Sequence, residues 1–152
     1  MTRAAFLDWC HPDLLEERLL HASALWQVKV ALDGAAGVIS PPERWPLSEL
    51  DWCGCSLALA SARADGERPA VFRLGSRSLR AQLFCLLDPG VLSPGSTAIN
   101  PLDPQQWRFW LVPFHQLHPD RQSIGASALQ RAHGEGLIHE DLAAALEALV
   151  HR

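Results

Sequence analysis

From residue 24 to residue 32, side chains of opposite character alternate along the chain. Leu25, Gln27, Lys29 and Ala31 fall on one side, and Trp26, Val28, Val30 and Leu32 on the other. Successive side chains of an extended chain point to opposite faces, so a repeat of two predicts a β-strand over residues 24–32. His21-Ala22-Ser23 would be the turn before it, and residues 14–20 fit a helical turn or a strand equally well. Asp33-Gly34 closes the segment, and the prolines at 41, 42 and 46 make residues 33–47 a loop.

Further on, residues 57–62 read as a buried strand. Residues 64–67 form a hairpin turn and residues 69–74 its returning strand. Residues 79–87 form an apolar core strand. Residues 88–104 contain Pro89-Gly90, Pro94-Gly95, Pro101 and Pro104 and read as a long loop, and residues 107–113 are another strand. Two helices finish the pattern. Ser123 caps the first, over residues 125–133, and Gly134-Glu135-Gly136 stops it. The second, over residues 139–150, has Leu142, Leu146 and Leu149 at helical spacing. The expected architecture is α/β (α+β), a mixed central β-sheet flanked by helices, in a single domain over residues 1–152.

Composition narrows the class. At 48% hydrophobic and 20% charged residues, the chain is globular rather than disordered. No apolar run reaches the roughly 18 residues of a membrane span. Asp8 interrupts the start before a signal-peptide core forms, so the expected location is a bacterial-type cytoplasm, with no membrane partner. A net charge of −4 argues against indiscriminate coating of nucleic acid. One stretch runs the other way. Arg63, Arg68, Arg73, Arg77 and Arg80 stand against only Asp65 and Glu67, which makes a DNA-backbone edge or simply a solvated hairpin. The remaining basic residues are also arginine, except for the single lysine, Lys29.

The chemistry suggested by spacing centres on that lysine. Pro12-Asp13 precedes Gln27-Val28-Lys29 by thirteen residues. This spacing resembles the PD-(D/E)XK nuclease signature, which implies that Asp13 and Gln27 on neighbouring strands would offer oxygen ligands to Mg²⁺ and that Lys29, two residues from Gln27, would share its face. Such a metal would polarise a phosphoryl oxygen and activate water, with the ammonium beside the scissile phosphate. The plainer reading is a surface aspartate and a strand whose polar residues face outward.

This arrangement resembles the PD-(D/E)XK restriction-endonuclease-like family in its Mrr-like QxK form. Residues 79–87, the run Pro101-Leu102-Asp103-Pro104-Gln105-Gln106-Trp107-Arg108-Phe109-Trp110-Leu111-Val112-Pro113, and Gln122-Ser123-Ile124-Gly125 resemble an uncharacterised bacterial branch of it. The resemblance implies an endonuclease-like fold and a Mg²⁺-dependent DNA endonuclease that hydrolyses phosphodiesters. Asp13, Gln27 and Lys29 would be catalytic, with Asp13 and Gln27 on the metal. Because Gln27 is neutral where an acid is usual, the alternative is an inactive relative. It would bind protein or nucleic acid in a defence or toxin/antitoxin context, as a homodimer or with a protein partner.

Other groupings are simpler. Cys53 and Cys55, with Cys10 and His11, could hold zinc but lack the usual paired spacing. Cys85 reads as a core thiol. His115 and His118 near Asp120 could bind a metal, or be polar surface residues. The six tryptophans could stack bases or serve as core and interface anchors.

Overall fold

A computed structural model of the protein describes residues 17–32, 47–64, 69–91 and 99–151. Its first element is a helix, α1 (Glu17–Ala31). This corrects the strand expected over residues 24–32. The buried positions are Leu20, His21, Ser23, Ala24, Gln27, Val28 and Leu32. Their spacing of three and four is that of one helix face. Trp26 and Val30, which set the apparent two-residue repeat, are 53% and 47% exposed.

The main sheet has four strands, β1 (Leu47–Trp52), β2 (Cys55–Arg63), β4 (Ala81–Leu87) and β5 (Trp107–Pro113), in the order β1-β2-β4-β5. β1 and β2 are antiparallel, β2 and β4 parallel, and β4 and β5 antiparallel. The mixed sheet expected from the sequence is present, with helices flanking it. A parallel pair needs a crossover of roughly a dozen residues or more, and the chain between β2 and β4 supplies it. Within that crossover lies β3 (Val71–Arg73), which pairs antiparallel with β6 (Ser123–Gly125). Residues 69–74 are therefore not the return of a hairpin from β2.

Both faces of the sheet are covered. Leu57, Leu59, Leu83, Cys85, Leu87, Trp107 and Phe109 pack in one core with Leu20, Ala24 and Val28 of α1. The same core takes Leu142, Leu146 and Leu149 of the last helix, α3 (Leu142–Val150). On the opposite face Ala58, Ala60, Phe84, Leu86, Trp110 and Val112 meet Phe72 of β3 and Ile124 of β6. Leu129 of helix α2 (Ala126–His133) joins them. Burial from both sides explains why residues 57–62 and 81–87 are near-continuous apolar runs. Ser123 begins β6 and is not the cap of α2, whose N-cap is Gly125; Gly134, at φ 78°, ends that helix. No helix among the described residues is long and apolar enough to cross a membrane.

Cys53 and Gly54 join β1 to β2 with positive φ at both positions, 49° and 76°. A two-residue hairpin of this kind favours Asn-Gly, because asparagine tolerates the left-handed region better than most residues. Cys53→Asn is expected to stabilise the fold by about 0.5 kcal/mol in urea melts. A lower midpoint at unchanged m-value would contradict this account of the turn.

Candidate anion-binding cleft

The helical form of residues 17–31 separates the residues that the sequence pattern pairs. Side chains two apart on a helix diverge by about 200°. Gln27 is 2% exposed and turned into the protein, whereas Lys29 is exposed. The shared face argued from strand geometry is thus absent. Gln27 Nε2 donates to the carbonyl of Pro101 (3.0 Å), which also accepts from Trp107 Nε1 (2.9 Å). The backbone carbonyl of Gln27 lies 2.9 Å from His139 Nε2, which donates to it. Gln27 is therefore a packing junction between α1, the chain before β5 and the turn before α3. Asp13 lies outside the described residues.

Among the described residues, no group of three or more His, Cys, Asp or Glu side chains comes together to hold a metal. Cys53 is exposed in its turn, Cys55 is buried, and both are free thiols. Cys10 and His11 lie outside the described residues. Cys85 is a buried core thiol, and burial pushes its pKa up. His118 Nδ1 accepts from the backbone N–H of Asp120 (3.2 Å), which closes a turn.

The arginines of the 63–80 stretch are spread over several positions. Arg63 ends β2 half-buried, and Arg68 lies outside the described residues. Arg80 donates to the carbonyl of Leu149, near the end of α3. Arg73 is exposed on β3, directly across from Ser123. Arg77 donates from Nη2 to the carbonyls of His118 and Arg121, both at 2.7 Å, with its guanidinium 5.4 Å from the centre of the Phe114 ring. It pins the 118–121 turn to the body of the protein.

That turn forms one wall of a cleft of about 390 Å³. The other wall is α2. Leu117, Ile124, Ala128 and Ala132 contribute apolar lining, and Gln116, His118, Arg121, Arg131 and His133 the polar groups. The depression is open to solvent and combines an apolar floor with polar residues around it. The polar set can donate many hydrogen bonds and carries positive charge. Because His118 Nδ1 accepts from the Asp120 amide, the neutral ring carries its hydrogen on Nε2. Arg121 and Arg131, both exposed lining residues, carry forked donors suited to phosphate or carboxylate oxygens. Arg131 and His133 lie in the last turn of α2, where the arginine charge also offsets the negative end of the helix dipole. Asp120 and Glu135 are the acids nearest in sequence.

The sequence pattern points to His118 as a metal candidate but does not single out Arg121 or Arg131. Nine residues lie between the two arginines, and it is the fold of β6 and α2 that brings both to one depression.

A second polar cluster is internal. His21 is fully buried between α1 and the sheet. Its Nδ1 lies 2.9 Å from Ser61 Oγ, and its Nε2 bonds Ser48 Oγ. A neutral imidazole has one donor and one acceptor nitrogen, and rotatable hydroxyls match either tautomer. Burial lowers its pKa from 6.5 to about 4. With no solvent access, this group is part of the core.

Fold and cleft together define an α+β protein with a mixed four-stranded sheet and a cationic depression at one side. No family model, curated protein or solved structure matches the chain.

Proposed function

We propose that this protein is a nucleic-acid-binding module that grips phosphate without cutting the strand. The observation carrying this reading is that Arg121 and Arg131, with His118 and His133, line one concave surface. Arg77 holds one wall of it through two carbonyls. Of the basic stretch, Arg77 is therefore the arginine tied to the cleft. The chain as a whole carries −4. Cations gathered on one surface of an acidic protein attract a polyanion locally while the rest of the surface repels it. Binding without cutting is supported by Gln27, whose amide is used inside the fold, and by Lys29, which lies on a different side of α1.

Fluorescence anisotropy with a labelled single-stranded oligonucleotide tests the reading. Binding should weaken as salt rises, and Arg121→Ala with Arg131→Ala should reduce affinity about tenfold or more. The slope of log K against log salt should fall by roughly 0.7 for each phosphate no longer neutralised. Affinity unchanged in the double variant would remove the cleft from the interface. With Mg²⁺ or Mn²⁺ added, the strand should stay intact. Cleavage that Lys29→Ala abolishes would instead establish the metal-dependent endonuclease.

A further inference from the structure

The cleft has a shape and lining that distinguish one class of phosphate from another. Surfaces that track a strand stack successive bases on aromatic rings along an extended groove. Among the described residues no Phe, Tyr or Trp side chain lines this cleft, and its volume of about 390 Å³ suits a single nucleotide-sized group. Phe114, the nearby ring in this region, is buried and has the Arg77 guanidinium against it. Two arginines also line so small a space, with the rings of His118 and His133 as further hydrogen-bonding groups. An internal phosphodiester has one negative charge and two free oxygens. A phosphomonoester carries about −1.5 to −2 at neutral pH and has three acceptor oxygens. Donors on two opposing walls can satisfy three oxygens at once, and the pinned 118–121 turn holds one wall ready for them.

Building on the nucleic-acid reading, we propose that the cleft takes the terminal phosphomonoester of a strand, so that the protein binds ends in preference to the interior. Arg121 and Arg131 grip the terminal phosphate from opposite walls, and His118 donates from Nε2. Arg77 is a positioning residue, acting through the backbone of the 118–121 turn.

The test compares four single-stranded ligands of one sequence: 5′-phosphorylated, 3′-phosphorylated, unphosphorylated linear and circular. A phosphorylated linear strand is expected to bind at least about tenfold tighter than the unphosphorylated or circular one. The difference should vanish in the Arg121→Ala, Arg131→Ala protein. A preference for one phosphorylated end over the other identifies the source of the monoester. Arg77→Lys keeps a cation but loses the two-carbonyl bridge. It should shrink the ratio of affinities between phosphorylated ends and the circle. Circular and phosphorylated strands bound equally well would overturn end recognition and leave nucleic-acid binding standing. Failure of every oligonucleotide to bind, or a phosphoserine peptide that binds more tightly than any of them, would overturn both readings.

Discussion

Lowering the pH from 6.5 to 4 should remove about 3 kcal/mol of folding free energy through a single imidazole, that of His21. The ring is fully buried against Ser48 and Ser61, and its pKa falls from 6.5 to about 4. Between those two values the unfolded chain takes up a proton that the folded protein refuses. Stability therefore rises with pH across this window, is fully present above about pH 6.5, and is lost as pH falls toward 4. His21→Gln retains a donor and an acceptor but cannot titrate there. Urea melts at several pH values should give the variant a flatter dependence, with up to about 1.4 kcal/mol per pH unit missing between 6.5 and 4. Parallel curves for the two proteins would mean that His21 is not held neutral by burial.

The same histidine shows why the first element is hard to read from sequence. Hydrophobicity locates a buried face only when apolar residues lie inside and polar ones outside. Along α1, His21 and Gln27 are buried with polar partners, while Trp26 and Val30 face outward. The inversion disguises a helix as an alternating strand over residues 24–32. Polar burial affects β1 as well. Ser48, Leu50 and Trp52 form its inward face, but Ser48 is inward because His21 meets it there. By contrast, residues 57–62, 81–87 and 107–113 have a simple hydrophobic logic, and all three lie in strands of the main sheet. Helix α2 and the last helix are also legible, from the glycines after residue 133 and from Leu142, Leu146 and Leu149.

The cleft is legible only in fragments. Clustering of arginines between 63 and 80 is visible in the sequence, but which of them face a ligand depends on what backbone each one meets. Arg80 is occupied at the end of α3, and Arg77 at the turn that builds the cleft wall. The arginines that line the depression are residues 121 and 131, outside the basic stretch. β3 pairs across the chain with β6 rather than with its nearest neighbour. The block from Pro101 to Trp107, distinctive as a sequence, acts as a tie. Asp103 Oδ1 accepts from the Gln105 amide, Gln106 Oε1 accepts from the Asn100 amide, and the Pro101 carbonyl receives two side chains.

Gln27→Glu separates the structural role of that tie from the metal-ligand role suggested by the spacing of Asp13, Gln27 and Lys29. A glutamate restores the acid usual in the endonuclease pattern, so a metal site there should gain affinity and bound Mg²⁺ should raise the melting temperature by mass action. The packing role leads to the opposite result. At neutral pH the new carboxylate would be buried and would face the Pro101 carbonyl, to which it could no longer donate. An uncompensated buried charge costs about 3–5 kcal/mol. Burial raises a carboxyl pKa, so the folded variant would bind its proton more tightly than the unfolded chain. Its deficit should therefore shrink on acidification, when the protonated group can again donate to Pro101. That trend is opposite in sign to the one expected from His21, so the measurement is best made on a His21→Gln background. Gln27→Leu provides the comparison. It removes the donor without adding charge, and Trp107 Nε1 still serves the Pro101 carbonyl, so the loss should be nearer about 1 kcal/mol. A Gln27→Glu protein as stable as its parent at neutral pH, or one stabilised by Mg²⁺, would return residue 27 to the metal site.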